Sequence, residues 1–122
     1  MASKEELVMA ELSSLLRMED VLACMVAKKG LEGLTPPGIK VKNIELWKVL
    51  KETTDTVFDL IDGFFDYGLD RLYFELGEYT VIVATINRSF SLVAVIPSLA
   101  NRGLLDVEIE NTKRKISEII GK

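Results

Sequence analysis

Polar and apolar residues along this chain alternate with two periods, one near 3.6 and one near 2, and the switches between them mark out its elements. From Ser3 to Arg17, Val8, Leu12, Leu15 and Leu16 form a narrow apolar stripe, which predicts a helix packed on one side. Ser3 and Glu6 make the S-x-x-E pattern of a capping box at its start. From Glu19 to Lys29, Val21, Ala23, Met25 and Ala27 alternate with Leu22, Cys24 and Val26. Both sets are apolar, so this is a strand covered on both faces. Gly30 marks a turn, and a short strand is expected from Leu31 to Leu34. Pro36, Pro37 and Gly38 break any longer strand and leave an extended lead into the next helix.

That next helix is the strongest feature of the pattern, running from Asn43 to Asp66 with Asn43 as its N-cap. At 100° per residue, Leu46, Trp47, Leu50, Thr54, Val57, Phe58, Ile61, Phe64 and Phe65 fall in one arc. Val49, Thr53 and Leu60 widen the arc to roughly half the circumference. A helix lying on one sheet needs a stripe of about 100°. The excess implies that this helix touches both its own sheet and something else. Glu52, Asp55, Asp59, Asp62 and Asp66 share the opposite side.

Gly68 reads as the helix stop. Three strands follow: Leu69 to Leu76, Tyr79 to Ile86 and Phe90 to Ile96. Their connections, Gly77-Glu78 and Asn87-Arg88-Ser89, are short enough to join only antiparallel neighbours. The first of the three sets Leu72, Phe74 and Leu76 against a wetter face of Arg71, Tyr73 and Glu75. A last helix, from about Asn101 or Gly103 to Ile120, carries Leu105, Ile109, Thr112, Ile116 and Ile119 at spacings of three and four. The order is therefore α-β-β-α-β-β-β-α. Central strands apolar on both faces require helices on both sides, giving an α/β (α+β type) three-layer α/β/α sandwich around a five-stranded, mostly antiparallel sheet. The long helix covers one side, and the first and last helices cover the other.

Composition narrows the chemistry. The 122 residues fit a single domain, 1–122, that needs neither disulfide nor metal to fold. The net charge of −4 argues against nucleic acid as the main partner. Lys113, Arg114 and Lys115 lie beside Glu108, Glu110 and Glu118 and read as a solvated helix face. Without histidine, and with Cys24 alone, no Ser-His-Asp or Cys-His catalytic group and no common zinc site can be built. Cys24 reads as a small buried hydrophobe. No signal peptide and no membrane span are expected, and a single thiol suits a reducing cytoplasm. Gly30 and Gly33 lack the spacing and the Lys-Ser/Thr of a phosphate loop. The carboxylates Asp55, Asp59, Asp62 and Asp66 run along a helix and do not converge, so no metal site is expected among them. No cofactor is expected either.

The order of elements, together with DRLYFELGEYTVIVATI, SFSLVAVIP and NRGLLDVEIENTKRKISEII, resembles the Roadblock domain, the fold of the Roadblock-type dynein light chains (profilin-like). The likeness spans Glu5 to Ile120, and Gly103, Leu104, Leu105, Val107 and Ile109 match the opening of the family's last helix. The chain departs from the family at Thr35-Pro36-Pro37-Gly38, where a longer strand is usual. The resemblance implies a non-enzymatic scaffold that pairs with itself, or with a Roadblock paralogue, and binds or regulates a Ras-like small GTPase. It implies a dimer interface drawn from Trp47, Leu50, Thr54, Phe58, Ile61 and Phe65 of the long helix and Arg71, Tyr73, Phe74 and Glu75 of the following strand. The acidic row Asp55, Asp59, Asp62 and Asp66 is then a candidate docking face for a basic partner; as a plain pattern it is also what any solvated helix face shows. Two other readings compete: a small-molecule sensor of the PAS or GAF kind, and a subunit of a larger heteromeric Roadblock complex. A carboxylate-pair enzyme is disfavoured, since nothing places two acids at a cleft.

Overall fold

A computed structural model describes residues 3–36 and 44–121. In chain order the elements are α1 (Lys4–Leu16), β1 (Ala23–Lys28), β2 (Leu31–Leu34), α2 (Ile44–Glu52), α3 (Thr54–Phe64), a 3-10 turn (Phe65–Tyr67), β3 (Arg71–Leu76), β4 (Tyr79–Thr85), β5 (Phe90–Pro97) and α4 (Arg102–Ile120). The five strands form one sheet in the order β2-β1-β5-β4-β3, and every pairing is antiparallel. The three-layer α/β/α arrangement expected from the pattern is the one observed. The lead into the long helix and the Asn43 cap lie outside the described residues.

Alternation decides which side each strand residue covers. Cys24, Val26, Ile82, Ala84, Leu92, Ala94 and Ile96 face α1 and α4 and pack with Val8, Leu12, Leu105 and Ile109. Ala23, Met25, Ala27, Val81, Val83, Val93 and Val95 face α2 and α3, where Trp47, Phe58 and Ile61 fill the space. The small Ala23 and Ala27 leave room for those large side chains. Cys24 is fully buried, and its thiol donates to the Leu12 carbonyl at 3.4 Å.

Local chemistry fixes the turns. Ser3 accepts from the Glu6 amide at 3.1 Å, as the capping box required. Asn101 caps α4 by accepting from the Gly103 amide at 3.1 Å. In the β4–β5 connection the Asn87 side chain accepts from the Ser89 and Phe90 amides at 2.8 and 2.9 Å. Gly68, at φ 85, ends the long helical segment: its amide donates to Phe65 at 3.0 Å and the Leu69 amide donates to Phe64 at 3.4 Å. Those two bonds are the pair of a Schellman stop.

One helix expected to be continuous is bent. At Thr53, with φ −96 and ψ 7, α2 gives way to α3. The Thr53 hydroxyl donates to the Val49 carbonyl at 2.9 Å, and the Thr54 hydroxyl to the Leu50 carbonyl at 3.2 Å. Side chains bonding back in this way compete with the backbone and bend a helix. Thr53 closes one ladder and opens the next: its amide donates to Val49 at 2.9 Å and its carbonyl accepts from the Val57 amide at 3.1 Å. The turn of helix expected through Asp66 tightens to the 3-10 turn, and the strands expected from Glu19 and Leu69 begin at Ala23 and Arg71.

At the opposite edge of the sheet, β2 is short and irregular. Its register against β1 shifts between Val26 and Lys28. A Cβ on Gly33 would lie 1.9 Å from the Val26 carbonyl oxygen, so only glycine fits there. Gly33→Ala is therefore expected either to lower stability by about 1–3 kcal/mol or to release β2 from β1. Thermal melts, with amide exchange of residues 31–34, distinguish the two outcomes.

Candidate interaction face

The apolar arc of α2 and α3 is wider than the sheet can use, and the structure divides it. Trp47, Phe58 and Ile61 are spent on the chain's own core. Leu50, Thr54 and Val57 lie at the flank, half-buried beside the sheet. On the outer side Val49, Leu60 and Phe64 remain 51%, 41% and 51% exposed. Of the helical residues the sequence placed at an interface, Trp47, Phe58 and Ile61 thus point inward, while Val49 and Leu60, used there only to widen the arc, point outward. A helical wheel shows the width of an arc but not which part of it the sheet takes.

The outward part is a groove. Leu46, Val49, Leu50, Thr53, Thr56, Val57, Asp59 and Leu60 line it from the helices, and Phe74 and Leu76 from β3. Its volume is about 600 Å³, and among the described residues Asp59 is the one charged residue on its wall. By contrast, the space left between α3 and the sheet, next to Ser91 and Val93, is about 20 Å³, room for a single water.

The groove ends at a strand with one open edge among the described residues. β3 pairs with β4 on one side only. Leu72 and Phe74 turn toward α2 and α3, as the alternation implied. Arg71 and Tyr73 turn the other way, toward α4. The Arg71 guanidinium donates to the Asp106 carboxylate at 3.1 Å, to the Asp106 carbonyl at 3.1 Å and to Glu110 at 3.2 Å. Burial pulls its pKa down, but bonds to Tyr73 and Glu110 and the field of Asp106 outweigh that and raise it above the usual arginine value. Tyr73 carries the Arg102 guanidinium over its ring at 4.9 Å. Glu75 is exposed at the outer end of β3. Phe74 alone of the four strand residues expected at the interface shares a face with the helices.

The acidic row is partly occupied by its own chain. Asp62 pairs with Lys29, and Arg88 reaches Asp66 at 2.7 Å and Asp62 at 3.9 Å. The Gly30 amide donates to Asp55 at 3.2 Å. Arg88 also lies over the Phe65 ring at 4.5 Å. The β1–β2 and β4–β5 turns therefore grip the outer side of α3, a set of long-range contacts with no trace in local sequence. Asp59 has no ion pair among the described residues. On α4, Lys113 pairs with Asp70 at 2.6 Å and Glu110 at 3.3 Å, which takes it out of any free basic patch.

Two consequences are measurable. Phe58→Asp buries a carboxylate in the core and is expected to abolish the folded circular-dichroism signal, whereas Val49→Asp is expected to leave it intact. Asp66→Ala or Arg88→Ala removes an exposed ion pair and is expected to cost no more than about 1 kcal/mol in urea melts, a loss that shrinks as salt is added.

No family model matches this sequence, and no curated protein matches it. Solved structures do. Myxococcus xanthus MglB superposes with a TM-score of 0.76 at 13% identity, covering 93% of this chain and 94% of that one. A Roadblock/LC7 domain from Streptomyces avermitilis gives 0.66 at 14% identity over 93% and 97%. An MglB described as having a tetrameric arrangement gives 0.67 at 14% identity over 98% and 91%. The chain has the fold of Roadblock/LC7 domains, as the sequence resemblance implied.

Proposed function

We propose that this chain is a non-enzymatic, Roadblock-like scaffold, acting as one domain over residues 1–122, that dimerises through α2, α3 and the free edge of β3. Its role in this reading is to bind or regulate a Ras-like small GTPase. The observation that carries the dimer is the continuity of an apolar groove with an unpaired strand edge. Each is costly to leave in water, and one symmetric contact covers both. The interface so placed centres on Val49, Leu50, Val57, Leu60 and Phe74, with Leu46 and Leu76 at its ends. A tetrameric arrangement in one MglB of the same fold supports self-association.

The GTPase assignment rests on the resemblance to the Roadblock family. On this chain the acidic row leaves little for a basic partner, since Asp62 and Asp66 are held by Lys29 and Arg88, Asp55 accepts from the Gly30 amide, and Asp59 lies on the wall of the groove given to the dimer. A sensor of the PAS or GAF kind has less support. Its ligand would need an enclosed polar cavity of several hundred Å³; the space under α3 is about 20 Å³, and the hollows of about 420 Å³ beside Val8 and Leu34 and about 350 Å³ between α1 and α4 are open to solvent. A paralogous Roadblock chain could occupy the same groove, which would make the chain a subunit of a heteromeric complex. Among the described residues no helix is long and apolar enough to cross a membrane.

Light scattering on a sizing column is expected to give twice the 13.6 kDa chain mass at micromolar concentration. Val49→Asp or Leu60→Asp is expected to weaken the dimer by about 30-fold or more while the fold persists. A wild-type monomer would exclude the homodimer. Pulldown of small GTPases in both nucleotide states tests the partner, and binding in neither state removes that half of the reading.

A further inference from the structure

The register of the proposed pairing can be read from hydrogen-bond parity along β3. The Thr85 amide donates to the Asp70 carbonyl at 2.8 Å, and the Ser98 amide to the Glu78 carbonyl at 2.8 Å. In an antiparallel pair, residues whose backbone groups point to one neighbour alternate with residues whose groups point to the other. Glu78 therefore bonds toward β5, and Tyr79, Val81, Val83 and Thr85 toward β3. On β3 the partners of that second set are Leu76, Phe74, Leu72 and Asp70. The amides and carbonyls of Arg71, Tyr73 and Glu75 are left pointing to the open edge.

We infer that a second copy of the chain pairs antiparallel along this edge with Tyr73 on the two-fold axis, so that Arg71 of each copy faces Glu75 of the other. This rests on the dimer proposed above. The register engages all three outward residues and forms about six hydrogen bonds; a slip of the axis by one residue leaves about four. It sets Leu72 opposite Phe74 on the α2–α3 side, apolar against apolar, in line with the groove. Centring on Phe74 instead would set Asp70 against Glu78 twice. Centring on Leu72 would set Phe74 against Asp70. Of these three registers the Tyr73 one avoids both, setting Asp70 beside Leu76 at its ends, and it brings Arg71, held on Asp106 and Glu110, opposite Glu75, which has no ion pair among the described residues of its own chain. Arg102, stacked on Tyr73 at 4.9 Å, adds a second guanidinium beside that position.

Cysteine crosslinking of the full chain reads the register directly. In a hydrogen-bonded antiparallel pair the two Cα atoms at position 73 lie about 5.5 Å apart, within disulfide reach. The two at position 75 would be on the order of 13 Å apart. Tyr73→Cys is therefore expected to form a disulfide dimer under mild oxidant at least ~10-fold faster than Glu75→Cys, with buried Cys24 left in place in both. Glu75→Arg is expected to raise the concentration for half-dissociation by about 10-fold, because it sets cations face to face across the axis. A wild-type dimer in which Glu75→Cys or Phe74→Cys crosslinks as fast as Tyr73→Cys overturns the register alone. So does a dimer indifferent to Glu75→Arg. A wild-type monomer overturns the dimer itself.

Discussion

Everything in this structure follows from a sheet whose inner strands are apolar on both faces. Such a sheet cannot meet water on either side, so the chain must supply two covering layers. It does so unequally. Two helices, α1 and α4, share one face. The other is covered by α2 and α3 alone, through a few large side chains seated over small residues of β1. Apolar side chains reach the surface on both sides, Leu7, Leu104 and Val107 on α1 and α4 and Val49, Leu60 and Phe64 on α2 and α3, and on the α2–α3 side Val49 and Leu60 border a groove.

The bend at Thr53 matters for the same reason. Two adjacent threonines return their hydroxyls to the preceding turn where α2 gives way to α3, and Thr53 itself links the end of one ladder to the start of the next. The groove is lined from both segments, so its shape depends on this bend. The far end of α3 is held by different means, since Lys29 and Arg88 reach over from the sheet turns to Asp62 and Asp66. Exposed pairs of this kind contribute little to stability individually. Their effect is on where the helix lies.

Much of the fold was legible because glycine, proline and asparagine punctuate it and because strand and helix periods differ clearly. The β2 span, the Gly77-Glu78 and Asn87 turns, the Gly68 stop and the α4 stripe all appear where the pattern put them. The alternation of β3 was legible too, Arg71 and Tyr73 falling opposite Leu72 and Phe74. What the pattern could not show was direction. Half of the α2–α3 circumference is apolar, and local sequence does not say which part meets the sheet. Phe58, which the resemblance places at a dimer interface, lies inward in the chain's own core, while Val49 lies outward. Nor does spacing reveal that Arg71 is claimed by Asp106 and Glu110, 35 and 39 residues away. The break at Thr53 has no signal in the pattern, because Thr53 and Thr54 fall within the arc like its other members.

The two rims of the sheet are unlike. β3 offers six residues with an open row of backbone groups, whereas β2 is four residues long, slips in register and runs straight into Thr35-Pro36. A strand that short and irregular is a poor template for another. Strand addition would therefore be one-ended: a copy added at β3 would present only its own β2 rim beyond, and growth would stop at two chains instead of extending into a fibre.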